Sequence, residues 1–561
     1  MQEKVHRELS LRGVIIGSLG CIIITATSIY TALKIGALPW PIIFAAIISL
    51  FFLKALGKTS LNEANVTHTI MSAGAMVGGG LAFTIPGIWI AQAGEVSILE
   101  MFGVCIAGVV LGLICTAFYH RRFVADSDMN YPIGQAAAET PKAGDTGGKV
   151  GAKLFGSMGF AFVYAFIRDW FAKIPAMLFG GVSIPGVAFG IYNSPMLLSV
   201  GFLVGMGALI SWFVGAILGW FGIVVIGGGI GVWSTEVGIS ITQTLGMGIM
   251  MGCGFAVIVK MVYNGIKRKA KGNEEGSEAP SGSSTASETS TTLTTLQRLF
   301  ASKSAKALVV ITILLAAVFI CFFLGLGPIA SGIVVIIVWA TVSMSIMSVG
   351  RTGIDPMEIF GLIAVILIAL VCDLPKVQLF FIAAIIAVAC GLAGDVMNDF
   401  HAGKVLGTDP KSQWLGQTIG AIIGAIVSAL TMALLVNAYG TGAFGADGSF
   451  VAAQANAVSA MISGSYDMKI FAAGAAIGFM LYLINAPVMT LGLGFYLPFY
   501  MSFTAFLGAI VKVIYDAIRK RRSAEVVEGE SNSGIIIASG LLGGESIAGI
   551  VVAFLVLFTS L

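Results

Sequence analysis

The stretch Ala307 to Leu324, A-L-V-V-I-T-I-L-L-A-A-V-F-I-C-F-F-L, carries no charged residue, and Thr312 is its one hydroxyl. Wound as an α-helix at 1.5 Å per residue it reaches about 27 Å, close to the ~30 Å hydrocarbon thickness of a bilayer. A strand of a membrane β-barrel would instead alternate apolar and polar residues over about 10 positions. The run does not alternate, so the reading is a membrane-spanning helix. Comparable runs precede it near 13–36, 38–56, 64–92, 97–120, 151–174, 196–231 and 237–263. Others follow near 328–349, 358–372, 376–393, 415–437, 468–490, 491–516 and 534–561. The run 196–231 is long enough for two short helices.

Composition agrees along the whole chain. Of 561 residues 57% are hydrophobic and 11% charged, with a mean hydropathy of +0.97, against roughly 25% charged in a soluble domain. A water-soluble globular fold is excluded, and the expected class is an all-α polytopic membrane protein of about 16 transmembrane helices. The net charge of +3 is too small and too dispersed to suggest nucleic acid as a partner. The seven cysteines all lie within apolar runs without C-x-x-C spacing, and they read as packing residues. No metal-ligand or cofactor motif is present, so no cofactor is expected. Glycines four apart at Gly215/Gly219, Gly248/Gly252 and Gly416/Gly420/Gly424 suit close helix crossings. Such stripes serve packing within or between subunits, so monomer and homodimer both stay open. The first run follows Lys4, Arg7 and Arg12 but is long and lacks a small-residue cleavage site; it reads as a retained span.

The clearest boundary is 264–306, basic at Lys267-Arg268-Lys269 and then rich in Ser, Thr, Gly and Glu, which reads as a disordered linker. It separates hydrophobic halves at 1–263 and 307–561, a division common among secondary transporters, although no residue-level repeat relates them. The clusters Lys54/Lys58, His120-Arg121-Arg122, Lys267 to Lys271 and Arg519 to Arg522 are expected on the cytoplasmic side of the plasma membrane, with the N-terminus and the linker. Keeping the last of these inside requires one more crossing between Asn437 and Lys469. Phe450 to Ser463, short and Ala-rich with Gln454 and Asn456, suits a broken or re-entrant helix near mid-membrane.

An ionisable group in hydrocarbon costs at least ~2.5–3.5 kcal/mol, so each needs a cavity, a partner or an interface. Three polar islands interrupt the apolar runs. Asp126 to Gly144 reads as a short cavity-lining helix that carries Glu139, a carboxylate suited to a cation, a substrate amine or a coupling proton. Gly350 to Glu358 holds Arg351 and Asp355 four apart, either a salt bridge closing a turn or a guanidinium that clamps a substrate carboxylate. Gly394 to Trp414 is the densest, with Asp395, Asn398 and Asp399 on one helical face and His401 nearby. Spacing alone does not make this last group a metal site, and coupling, substrate binding or loop structure remain its readings. Glu63, Glu236 and Glu545 lie beside or within apolar stretches, as helix-end carboxylates or as site residues. Asn485-Ala486-Pro487 and Gly492 to Pro498 are further interruptions that free backbone groups for a polar ligand. These interruptions, with Gly134 to Glu139 and Phe450 to Ser463, are expected to line a binding site between the halves.

The motifs L-R-G-V-I-I-G-S at Leu11, Y-T-A-L-K-I-G at Tyr30, P-I-G-Q-A-A-A-E-T-P-K-A-G at Pro132, A-G-D-V-M-N-D-F-H-A-G-K-V-L-G-T-D-P at Ala393 and A-S-G-L-L-G-G-E-S at Ala538 together resemble the oligopeptide transporter family. They fall in order across nearly the whole chain, which looks like the compact prokaryotic members. The resemblance implies about 16 helices and secondary active, usually proton-coupled, uptake of peptides. In the yellow stripe-like branch it implies uptake of metal chelates, of the siderophore or nicotianamine kind. Glu139, Asp395, Asp399 and Glu545 fall on the family-like motifs, with Glu139 the first choice for a coupling proton and Asp395 the second.

No P-loop, catalytic triad or loop large enough for a soluble enzyme is present. The expected function is therefore proton-coupled symport of small oligopeptides, with metal-chelate uptake as the alternative and a channel or intramembrane enzyme disfavoured. Its partners are the peptide or chelate, protons and membrane lipid.

Overall fold

The structure is a computed structural model that describes residues 8–36, 38, 41–127, 129, 131, 133–135, 137–138, 148–274, 303–352, 355–445, 448–464, 467–522 and 533–560. The first half opens with α1 (Leu11–Ile35), α2 (Pro41–Ala55), α3 (Leu61–Ala82), α4 (Pro86–Ile90) and α5 (Ile98–His120), which runs on as a π-helical turn over Arg121–Ala125. It continues with α6 (Gly148–Asp169), α7 (Pro195–Val204), α8 (Met206–Ala216), extended in π geometry over Ile217–Gly227, and α9 (Thr235–Glu274). After it come α10 (Lys303–Phe322), α11 (Pro328–Thr352), α12 (Met357–Ala369), α13 (Lys376–Leu406) and α14 (Pro410–Tyr439). The chain closes with α15 (Ala453–Ser463), α16 (Met468–Leu483), α17 (Val488–Tyr496), α18 (Phe499–Arg522) and α19 (Ser533–Ser560).

The all-α polytopic class is what is found. Among the described residues ten helices are long and apolar enough to cross a membrane, and four more are apolar but shorter. Leu308, Ile311, Leu315 and Phe322 of α10 stand exposed, as do Ile15, Leu19 and Ile23 of α1. A water-facing surface would not carry such a belt, whereas lipid solvates it. The opening stretch of sequence is therefore part of the outer, lipid-facing wall.

The helices differ from the apolar runs where polar residues decide. Gly205, at φ 82, breaks 196–231 into α7 and α8. Helix α13 does not stop at residue 393 but continues to Leu406 and ends at Gly407 in left-handed geometry, φ 79. Its polar end stays helical because it is buried against other helices. Helix α9 covers 264–274, the first part of the expected linker, and α10 begins within its last part; residues 275–302 lie outside the described residues. Between α6 and α7 two antiparallel ladders form, β1 (Met177–Leu178) with β4 (Ile191–Tyr192) and β2 (Ser183–Ile184) with β3 (Val187–Ala188), which hydrophobic patterning did not anticipate.

Helix α13 is the centre. Every residue from Phe380 to Phe400 is buried, and α3, α5, α11 and α12 pack around it. Helices from before and after residues 275–302 interleave: α6 packs on α19, α9 on α16, and α3 on α13 and α14. Small residues make these approaches possible. A Cβ on Gly420 would overlap the Ile70 carbonyl, one on Gly424 would overlap the Gly74 backbone, and one on Gly252 the Ala475 carbonyl. Helix α15 is an 11-residue interior helix, about 16 Å long and half the hydrocarbon thickness. Its start is tied to the end of α1 by the Ala452 N–H donating to the Leu33 carbonyl at 2.8 Å.

Candidate functional site

The three polar islands of the sequence converge on α13. From the first, the Gly134 N–H donates to Asn398 Oδ1 at 3.2 Å, and a Cβ on Gly134 would meet the Asn398 carbonyl at 2.5 Å. From the second, the Tyr131 N–H donates to the Gly350 carbonyl at 3.0 Å, and Asp355 lies so close to Gly394 that a Cβ there would be 2.6 Å from Asp355 Oδ2. The third island is the end of α13 itself. Close packing and hydrogen bonds hold these segments together, and glycine at 134 and 394 supplies the room.

Asp395 and Asp399, one helical turn apart, are both buried. Asp399 Oδ2 accepts from Ser72 Oγ of α3 at 3.1 Å and from Gln417 Nε2 of α14. Its Oδ1 lies 3.4 Å from His68 Nε2, also of α3. Gln413 Nε2 donates to the Asp399 backbone carbonyl at 2.7 Å, which fixes the helix on which the carboxyl sits. Among the described residues neither oxygen of Asp395 makes a hydrogen bond, nor does Asp355 Oδ2. Asp355 Oδ1 accepts from Ser345 Oγ at 2.9 Å, and Glu358 is buried one turn beyond. Among the described residues no Lys or Arg pairs with any of these four acids, and His68 is the sole basic neighbour in ion-pair range. A charge left in such a place without a cation is costly by several kcal/mol. Held there, the group is tolerated when neutral or when a cation accompanies it. Among the described residues no three His, Cys, Asp or Glu side chains form a metal-holding set.

The rest of the third island does structural work. Ring nitrogen Nε2 of His401 faces Gln135 Oε1 at 3.2 Å, and Lys404 donates to the Val124 carbonyl at 2.8 Å, capping the π-helical end of α5.

A second polar centre lies where α6, α7 and α19 meet. Glu545 of α19 is buried and pairs with Arg168 of α6 at 2.9 Å. It also accepts from Ser194 Oγ at 2.8 Å and from the Met196 N–H at 2.7 Å, so its carboxylate caps the start of α7. Arg168 holds Asp169 with two bonds of 2.7 Å and also donates to the Asn193 carbonyl. Across from it, Lys34 of α1 donates to the Ser449 carbonyl at 2.8 Å and stands over the rings of Phe450, at 5.2 Å, and Tyr30.

The other sequence candidates do not join either centre. Glu236 is exposed in the first turn of α9, where a carboxylate favours the helix dipole. Asn485 accepts from Lys260 at an exposed position. Gln454 donates to the Gly36 carbonyl at 3.2 Å and Asn456 donates to the Tyr496 hydroxyl, so they tie α15 to α1 and α17. Glu63 is held by Arg12, Ser10 and Thr59 as a clamp between α1 and α3. Glu139 and the Arg351 side chain lie outside the described residues.

Sequence reasoning missed His68, Ser72 and Gln417 as partners of Asp399, and it missed Arg168. The signal for the first was the polar run Asn65 to Ser72, N-V-T-H-T-I-M-S, inside a long apolar stretch. An Arg-Asp pair near the end of an apolar run reads as interfacial, which hid Arg168.

A central helix, buried from Phe380 to Phe400 and carrying ionisable groups inside a wall of lipid-facing helices, defines a polytopic membrane protein with a polar interior. Matched over residues 8–556 by the model of the OPT oligopeptide transporter protein family, the chain belongs to that family of transporters. It is also 26% identical, over 94% of its own length and 92% of the other's, to a Haemophilus influenzae protein provisionally named an oligopeptide transporter.

Proposed function

We propose that this protein is a secondary active importer of small oligopeptides driven by protons, with Asp395 and Asp399 as the coupling groups. The observation that carries the reading is two buried carboxyls one turn apart on the central helix, Asp399 facing His68, with no Lys or Arg paired to either among the described residues. A coupling group must be neutral while shielded and charged when water reaches it, so that its proton is taken up on one side and released on the other. Asp355, just before α12 and against Gly394, and Glu358, in the first turn of α12, add two more acids near this region. Glu139 follows the segment that touches Asn398 and stays a candidate for the same role. The peptide as substrate rests on family membership and on the name of the Haemophilus influenzae relative. The basic clusters support a cytoplasmic N-terminus, with the protein in the plasma membrane.

The test is uptake by proteoliposomes under an imposed pH gradient, with labelled di- and tripeptides in one arm and metal chelates in the other. Peptide accumulation that needs the gradient and collapses with a protonophore is expected. Accumulation of chelates alone would replace the substrate, and accumulation indifferent to the gradient would remove the proton.

A further inference from the structure

Between the Asp399–His68 pair and the end of the bundle that carries the N-terminus runs a ladder of hydrogen bonds. Asn65 Nδ2 of α3, one turn before His68, donates to Thr408 Oγ1 at 3.1 Å. Thr408 Oγ1 donates in turn to Asn62 Oδ1 at 3.1 Å, and Asn62 Nδ2 donates to Glu8 Oε1 at 3.2 Å. The other oxygen of Glu8 accepts from the Asp409 N–H at 2.9 Å. One carboxylate just before α1 thus joins the start of α3 to the turn between α13 and α14. Burial deepens along the ladder. Glu8 and Asn62 are half-buried, Thr408 and Asn65 are buried, and Thr69 beyond them is fully buried, its hydroxyl making no hydrogen bond among the described residues. Asn62, Asn65, Thr69 and Ser72 recur at helical spacing, so α3 carries one polar stripe from Glu8 to Ser72, the partner of Asp399. Deeper in the bundle α3 and α14 are fixed to each other, because Gly420 and Gly424 bring backbone against backbone. At the ladder the contacts are mostly side-chain bonds, which water can replace.

We propose that this ladder is the gate that shuts the coupling pair off from the cytoplasmic side, with Glu8 as its bolt. Both partners of Glu8 donate to it, so a carboxylate with two acceptor oxygens satisfies both and an amide satisfies one. Once the ladder parts, water follows the polar stripe from Asn62 to Thr69, about 10 Å along α3, and Asp399 releases its proton to that water. An apolar seam in the same place would stay dry when parted. The purpose of the gate rests on the coupling reading given above, whereas the closed ladder itself does not.

Side-specific thiol labelling of the full chain in sealed vesicles tests it, with Thr69→Cys as reporter and a membrane-impermeant cationic methanethiosulfonate as probe. The chain without that thiol gives the background from the seven native cysteines. Glu8→Ala and, separately, Thr408→Val are expected to speed labelling by about tenfold at one membrane face, the cytoplasmic one, and to leave the other face unchanged. Glu8→Gln, which keeps one of the two bonds, falls between. Labelling at the parental rate in both variants overturns the gate. An equal rise at both faces also overturns it, because that is general loosening. Where Thr69→Cys itself lowers the melting temperature, hydrogen exchange over residues 62–72, with and without Glu8→Ala, replaces it; faster exchange supports the gate and unchanged exchange overturns it. If labelling behaves as expected and wild type accumulates no substrate under an imposed pH gradient, the coupling reading fails and the gate stands.

Discussion

His68 and Asp399 face each other across the α3 and α13 interface with 3.4 Å between Nε2 and Oδ1, both side chains within 1% of full burial. Ser72 and Gln417 occupy the other carboxyl oxygen. The imidazole, unlike an arginine, can exist without a charge, so the pair can be held neutral or as an ion pair. An Arg in place of His68 would lock Asp399 as a permanent anion.

Substitutions on α13 follow from this. Asp399→Asn and Asp395→Asn each keep the shape of the group and remove the exchangeable charge. Gradient-driven accumulation by proteoliposomes is expected to fall to the equilibrium level, while exchange of internal for external substrate continues. Accumulation at the wild-type level by both variants would take the pair out of the coupling step.

Gly394→Ala tests whether Asp355 belongs to the same path. The new Cβ would stand 2.6 Å from Asp355 Oδ2 and 2.9 Å from Val349, so the carboxyl must swing away. A loss of accumulation larger than the change in melting temperature is expected. Equal effects on both would assign Gly394 to packing alone.

Arg168 offers a stability prediction. Removing one member of a buried pair strands the other, at a cost of about 3–5 kcal/mol. Arg168→Met should lower the melting temperature in detergent sharply, because Glu545 then keeps only Ser194 and the Met196 N–H. Arg168→Met combined with Glu545→Gln should cost less than the sum of the single changes. Additive melting shifts would show that the two residues do not act together.

Glycines at crossings and glycines in open positions should behave oppositely. Gly420→Ala pushes a methyl into the Ile70 carbonyl, and overpacking of that kind costs about 1–3 kcal/mol. Gly207→Ala meets nothing within 4 Å and should be neutral or stabilising by up to about 1 kcal/mol. Melting curves of the two variants decide, and a stable Gly420→Ala protein would mean that α3 and α14 have slack between them.

The sequence announced the lipid-facing wall, because an apolar run of span length such as Ala307 to Leu324 has few alternatives. The length of 196–231 also allowed two helices there, and small and polar residues marked the interruption around Phe450 to Ser463. The extent of α13 was not legible. Hydropathy ends a helix at the first dense set of polar residues, whereas Asp395 to Phe400 stay helical inside a packed bundle. Convergence of the three islands was hidden for a different reason, since nothing local in Gly134 or Asp355 says that the partner is α13. Glu545 and Glu236 looked alike as acids flanked by apolar residues. One is bonded to Arg168 and the start of α7, the other lies in the open, and only tertiary structure separates them.

The bond between Arg168 and Glu545 joins positions 377 residues apart. At a synthesis rate of ~5–20 residues per second, the arginine waits roughly 20–75 s in the nascent protein before its acid exists. During that interval Asp169, adjacent in the chain, is the acid at hand. The neighbouring aspartate, bonded to the guanidinium in the finished fold, is thus a carboxylate it can meet before Glu545 is made.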